Sequence, residues 1–172
     1  MIQCDTAVKS AMVNAVTETM ENMAFEQVEE APQTSAPTGD LIWASMPVIR
    51  PAKAEISLEL SNEYAKAVTE ALFGFMENGP DENIVRDALA EMLNTIGGRF
   101  MAQMTPAKLE FELGLPSVGT GKSKVSTNDA AAVNFNVGEH ILRVYITGLD
   151  PEKGILQNNV AQEASNENTG SR

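Results

Sequence analysis

The sequence predicts an α+β fold in which a largely antiparallel sheet packs against a few helices. Three observations support this class. Extended segments occur in runs instead of alternating singly with helices, which argues against a parallel α/β sheet. Residues 53–60 alternate apolar and polar side chains, as a strand with one buried and one solvated face does. Asp81–Met104 carries apolar residues at helical spacing and predicts one long amphipathic helix.

Length, charge and cysteine content restrict the class of protein. The 172 residues suffice for one domain with a hydrophobic core, which we assign to residues 1–155, followed by a polar, disordered tail at 156–172. A net charge of −12 argues against nucleic acid and anionic membranes as partners. The chain has one cysteine, Cys4, no signal-peptide pattern and no membrane-length apolar run. We therefore expect a cytoplasmic protein.

The first part of the chain is predicted to form a helix and then three strands. Asp5–Met23 has a methionine-rich apolar face, and Asp5 or Thr6 can cap it. The strands are predicted at Phe25–Glu30, Leu41–Ile49 and Lys53–Leu60. In the second of them, Pro47 indicates an edge position or a bulge. In the third, Ser57 and Glu59 fall on the solvated face.

The second part is predicted to form two helices and three further strands, so that the order is α-βββ-αα-βββ. Ser61 and Asp81 are suitable N-caps, and Asn78-Gly79-Pro80 separates the two helices. The predicted elements are helices at Ser61–Glu77 and Asp81–Met104 and strands at Lys108–Leu115, Ala132–Val137 and Ile141–Thr147. The alternation in the first of these strands places Leu115 on its buried face, and Gly138-Glu139 forms the turn of the final hairpin.

The predicted long helix carries a second stripe, separate from its apolar face. Its members follow helical spacing and are Asp87, Glu91, Asn94 and Gly98. Asn and Gly are poor mid-helix residues, costing about 0.5–1 kcal/mol relative to Ala. The stripe is either an ordinary solvated face or an exposed functional edge on a rigid element. Gly97 and Gly98 likewise allow either helix–sheet packing or close approach of a partner.

The stripe resembles the signature of the CheC/CheX/FliY family, which are phosphatases of the phosphorylated chemotaxis response regulator CheY. The family pattern is Ser/Asp-x-x-x-Glu-x-x-Asn followed by a proline, and the matching residues here are Asp87, Glu91, Asn94 and Pro116, with the proline one residue closer than in the family. Some members carry a second site in the first helix. Here Glu18 is followed by Glu21 where the pattern requires Asn, so the resemblance is to the single-site CheX type and its fold.

The resemblance implies roles for two residues of the stripe. The family's Asn, here Asn94, orients the attacking water, and its Glu, here Glu91, contacts the conserved lysine of the regulator. From its negative charge and from its bare backbone, respectively, we place Asp87 and Gly98 on the partner-binding surface beside them. The protein needs no cofactor of its own, because the Mg²⁺ is expected on the regulator. The implied partner is the phosphorylated receiver domain of a CheY-like protein, and the implied assembly is a homodimer. Hydrolysis of an acyl phosphate depends mostly on positioning, so these groups are sufficient in principle.

Three functions from different classes stay open at this point: a receiver phosphatase, a non-catalytic module that docks a receiver or a flagellar-switch component, and a structural dimer with a decayed motif. The first is favoured by the spacing of Glu91 and Asn94. Gly114–Ser123 is similar to a phosphate-binding loop, but that motif requires Gly where Pro116 stands. We therefore predict a flexible connection at residues 117–129. The single histidine, His140, has no nucleophile motif or metal-ligand cluster around it.

Overall fold

A computed structural model of the chain describes residues 6–123 and 130–148. The elements are α1 (Thr6–Thr19), a π-helical turn (Met20–Ala24), β1 (Glu29–Ala31), β2 (Leu41–Arg50), β3 (Ala54–Ser61), α2 (Asn62–Phe73), α3 (Glu82–Met104), β4 (Glu112–Leu113), β5 (Ser117–Thr120), β6 (Ala130–Val137) and β7 (His140–Thr147). This confirms the α+β class, with one strand more than predicted. The predicted tail at 156–172 lies outside the described residues.

The strands form one antiparallel sheet with its helices packed on one face. The strand order is β1-β6-β7-β3-β2, and β4 and β5 share the far side of β2. Alternate residues of the four long strands point into a single core with the apolar faces of α1, α2 and α3. Leu58, Val144 and Leu93 are fully buried there, and each such side chain stabilises the fold by about 1.5–3 kcal/mol. The sheet and core thus hold α3 as a fixed platform.

The starts of α2 and α3 agree with the predicted caps, whereas the predicted end of α2 is wrong; Asp5, one of the two caps predicted for the first helix, lies outside the described residues. The Ser61 hydroxyl accepts from the Tyr64 amide at 3.1 Å, as an N-cap does. Helix α2 ends at Phe73 instead of Glu77, because Gly74 has a φ of +94° that stops the helix four residues earlier. Phe75, predicted to pack on the helix face, is consequently 85% exposed.

Two predicted strands are much shorter than expected. The first extended segment is confined to β1, because Phe25 is left-handed, with a φ of +56°, and lies exposed after the π-helical turn. The segment Lys108–Leu115 contributes only the two residues of β4. Leu115 is 90% exposed, so its predicted burial is wrong. Part of the predicted flexible connection at 117–129 is instead strand β5.

The predicted wet face of β3 is also wrong at its centre, where Ser57 and Glu59 are buried. The Glu59 carboxylate, 6% exposed, accepts from the Tyr145 hydroxyl at 3.1 Å and from the Ser123 amide at 3.3 Å. Ser57 donates to the Ser45 hydroxyl at 2.9 Å. Buried polar groups are tolerated when they are hydrogen-bonded in this way. Alternation therefore identified the two faces of β3 but not what covers the outer one.

Pro47 explains why β4 and β5 are two strands and not one. β5 pairs with residues 42–45 of β2, and β4 pairs with Val48 and Arg50, so the interruption falls at Pro47. The Pro47 carbonyl accepts from the Gly114 amide at 2.8 Å, but proline has no N–H to donate on that side. The predicted alternative of an edge position is wrong, because β2 is paired on both sides. The register shift between Val48 and Arg50 agrees with the other alternative, a local irregularity.

Candidate functional site

Helix α3 is held firmly at both ends. Asp81 caps it by accepting from the backbone amides of Asn83 and Ile84 at 2.8 and 3.0 Å. Toward its C-terminal end, Arg99 pairs with Glu18 of α1 at 2.5 Å. The apolar face between these points is buried in the core. The helix is therefore a rigid support for whatever its opposite face presents.

The opposite face presents the predicted stripe. Asp87, Glu91 and Asn94 are exposed, and Gly98 is half-buried. Within residues 6–123 and 130–148, none of the three polar side chains has a hydrogen bond or an ion pair. The predicted exposure is confirmed. These groups face solvent without an intramolecular partner, which leaves them available to another molecule.

The two adjacent glycines have different environments. Gly97 is buried, and a Cβ there would overlap the terminal methyl of Met46 and lie 3.5 Å from Leu113 Cδ1. Gly97 therefore serves helix–sheet packing. A Cβ on Gly98 would meet nothing within 4 Å. Gly98 leaves the helix backbone open on the stripe that contains Asn94. Of the two predicted roles, close approach of a partner therefore applies only to Gly98.

We expect Gly98→Ala to raise the free energy of unfolding by about 0.5–1 kcal/mol, because alanine is the better helix residue and its methyl has free space. Urea unfolding monitored by circular dichroism measures this difference. Gly97→Ala is the matched control, since it makes the same gain in propensity but must displace Met46 in the core. A Gly98→Ala protein less stable than wild type would contradict the assignment of open space at this position.

The chain from the end of β4 to the first residue of β5 passes beside the stripe. Leu113 lies against Gly97, and the Val118 carbonyl accepts from Arg86 Nη1 at 2.5 Å. These two anchors place residues 114–117, here named the edge connection, alongside the part of α3 that carries the stripe. The edge connection contains the exposed Leu115 and the half-buried Pro116 of the predicted motif. Nothing in the local sequence pattern predicts that Arg86 or Leu115 belongs to this region.

The first helix uses the corresponding residues for internal contacts. Glu18 is the acid that pairs with Arg99, and the Asn22 side chain donates to the Glu18 carbonyl at 2.7 Å. Glu18 and Asn22 therefore do not form a pair of unengaged side chains on one helix face, as Glu91 and Asn94 do within the described parts of the chain. This agrees with the prediction that the chain has a single motif.

The remaining polar cluster has a structural role. The ring of His140 stacks on Tyr64 with a centroid distance of 5.0 Å, and the Tyr64 hydroxyl donates to Glu26 at 2.5 Å. Burial, followed by the hydrogen bond to Glu26, raises the pKa of Tyr64 above its ordinary value. In the described parts of the chain, no group of three or more His, Cys, Asp or Glu residues is arranged to hold a metal ion. None of the helices described combines the length and apolar character needed to span a bilayer.

The sequence profile of the family described as "Chemotaxis phosphatase CheX" matches residues 43–137, which is more than half of the chain. The chain belongs to the CheX family. The matched range contains the whole stripe, the edge connection and strands β3 to β6. The family that the motif predicted is therefore confirmed, and with it membership of a family of hydrolases, the chemotaxis phosphatases. The search of curated proteins found no match.

Solved structures agree with this family assignment. The chemotaxis protein CheX from Desulfovibrio desulfuricans has a TM-score of 0.67 at 21% identity over 81% of this chain and 97% of that one. CheX in the CheX–CheY–BeF3–Mg²⁺ complex from Borrelia burgdorferi has a TM-score of 0.63 at 20% identity over 81% and 96%. Thermotoga maritima FliY has a TM-score of 0.57 at 11% identity over 99% and 100%. At these identities the likeness establishes the CheX-like fold, as the motif predicted.

Proposed function

We propose that this CheX-family protein hydrolyses the aspartyl phosphate of a CheY-like receiver domain at the stripe on α3. One observation carries the proposal. Glu91 and Asn94 have the spacing of the family motif and are exposed, without intramolecular partners, on a helix anchored at both ends. The complex of Borrelia CheX with CheY, BeF3 and Mg²⁺ supports a receiver domain as the partner class.

In this mechanism the protein supplies position and charge, not a nucleophile. The amide of Asn94 can both accept from and donate to a water, and so holds it in line with the phosphorus. Water attacks, the bond between phosphorus and the aspartyl oxygen breaks, and the products are inorganic phosphate and the free aspartate. The Mg²⁺ belongs to the receiver and neutralises the developing charge on the phosphoryl oxygens. No metal site on this chain is needed.

The other members of the stripe serve docking. Glu91 pairs with a lysine of the receiver, and Asp87, one turn away, adds negative potential toward that cation. Gly98 leaves room for the receiver surface beside Asn94 because no side chain fills the space there. Since receiver signalling of this type is cytoplasmic, we assign the protein to the cytoplasm.

The test is dephosphorylation of a CheY-like receiver domain charged with a small-molecule phosphodonor. Phosphate release is followed with and without the protein. We expect release to accelerate in proportion to protein concentration, with turnover. A protein that binds the phosphorylated receiver without accelerating release would be a non-catalytic docking module, and the proposal would be wrong.

We further propose that the protein is a homodimer. The edge strands β1, β4 and β5 have only three, two and four residues, so edge pairing does not carry this proposal. Its support is the set of large apolar side chains left exposed where the first helical segment and α2 end, namely Phe25, Phe73 and Phe75. Sedimentation at micromolar concentration should give twice the chain mass of 18.5 kDa. A single species of one chain mass would contradict it.

A further inference from the structure

Arg86 joins α3 to the edge of the sheet. It precedes Asp87 in the helix, and its half-buried side chain reaches across to β5, where Nη1 donates to the Val118 carbonyl at 2.5 Å. Arg50 and Arg99 each pair with a carboxylate, but no ion pair among the described residues includes Arg86. The guanidinium is therefore committed to a backbone group of the strand instead of to a neighbouring acid.

The recipient of this hydrogen bond is a weakly held strand. β5 has four residues and pairs on one side only, with β2. A short edge strand has few ladder hydrogen bonds, and its outer carbonyls lack a strand partner. Pro47 weakens the same side further, because it offers no amide where the ladder would continue toward β4. The bond from Arg86 thus replaces part of the missing ladder with a contact to the rigid helix.

The contact also determines where the edge connection lies. Residues 114–117 are held at one end by Leu113 against Gly97 and at the other by Val118 on Arg86. Between these anchors Leu115 is 90% exposed. Because both anchors attach to α3, at Gly97 and at Arg86, Leu115 lies beside the length of the helix that carries the stripe. A partner that docks on Glu91 and Asn94 would meet this leucine at the flank.

We propose that Arg86 is a positioning residue for receiver binding, which holds the edge connection and Leu115 against the flank of the stripe. The inference rests on the proposed function. Arg86 touches neither the phosphoryl group nor the water, and it acts through β5. Losing it leaves Asn94 in place on α3 but lets the apolar flank move, so binding weakens while the chemical step is preserved.

The experiment compares Arg86→Ala, Arg86→Lys and Leu115→Ala with the matched control Arg99→Ala. Arg99 is the other arginine of α3, and its contact with Glu18 lies on the α1 side. We expect Arg86→Ala to raise KM for the phosphorylated receiver about fivefold while kcat changes by less than about twofold. Arg86→Lys should recover part of the loss, since lysine keeps a cationic donor. Arg99→Ala should leave KM unchanged, because its ion pair is at the surface and the buried apolar face of α3 still holds the helix.

Two further measurements separate positioning from general destabilisation. Amide hydrogen exchange in Ser117–Thr120 should accelerate in Arg86→Ala and not in Arg99→Ala. The double variant Arg86→Ala/Leu115→Ala should raise KM by less than the product of the single effects, because both act through one contact surface. The inference would be overturned if Arg86→Ala had the KM of wild type, or if the KM effects of Arg86→Ala and Leu115→Ala multiplied in the double variant. Unchanged amide exchange in β5 of Arg86→Ala would also overturn it.

Failure of the proposed function would look different from failure of this inference. A wild-type protein without phosphatase activity would refute the function itself. Exchange in β5 is measured on the protein alone, and an accelerated rate confined to Arg86→Ala would then still establish the tether. Activity in wild type together with an Arg86→Ala protein that behaves like Arg99→Ala would refute only the positioning role.

Discussion

Asn94→Ala is expected to lower kcat for receiver dephosphorylation by about 10²-fold or more, the scale typical of losing a group that positions a reactant. The side chain is exposed and without an intramolecular partner, so its removal leaves the core untouched. Alanine is also the better helix residue by about 0.5 kcal/mol. The variant should therefore be as stable as wild type or slightly more stable. Phosphate release from the phosphorylated receiver, alongside a thermal unfolding curve, measures both quantities.

The matched control for this prediction is Asn83→Ala. Asn83 is an exposed asparagine in the first turn of the same helix, about 16 Å from Asn94 along the helix axis. The substitution is chemically identical but too distant to affect the same water, so it should retain wild-type kcat. If Asn94→Ala keeps full activity, or if both variants lose activity equally, Asn94 does not orient the water and the proposed mechanism is wrong.

Local signals in the sequence predicted most of the fold. The β6–β7 hairpin follows from period-two alternation around Gly138, whose φ of +56° suits glycine. Asp81 and Ser61 cap their helices because a short polar side chain before an apolar run meets the free amides of the first turn. The stripe followed from helical spacing alone. In each case the information lies within a few neighbouring residues.

What could not be predicted depends on residues that are distant in the sequence. β4 and β5 are separate because Pro47, in another strand, lacks a donor where they would join, and Leu115 lies exposed between them. Helical spacing puts Gly98 in the stripe but leaves both roles open for each glycine, and only the position of Met46 assigns packing to Gly97. Tertiary contacts of this kind override the local sequence pattern. Helix α3 and its stripe could therefore be predicted from the sequence, whereas the position of the edge connection beside them could not.

Glu91→Gln is expected to weaken binding of a beryllofluoride-activated receiver about tenfold at low salt, or about 1.4 kcal/mol. Glutamine keeps the shape of the side chain and removes its charge. Asp87 and Glu91 lie one turn apart, and like charges at this spacing cost the helix a few tenths of a kcal/mol. Neither forms an ion pair among the described residues, so a partner lysine is the group that would offset this repulsion.

The salt dependence separates docking from mere solvation. Because ions screen exposed charge pairs, raising the ionic strength should weaken wild-type binding more than binding by Glu91→Gln. Glu82→Gln is the matched control, since it removes the same charge from an exposed residue of the first turn of α3 and should retain wild-type affinity and salt slope. Calorimetric titration at low and high salt measures all three proteins. Equal affinities for wild type and Glu91→Gln at low salt would remove Glu91 from the binding surface, whereas equal losses in both variants would reduce its role to net charge.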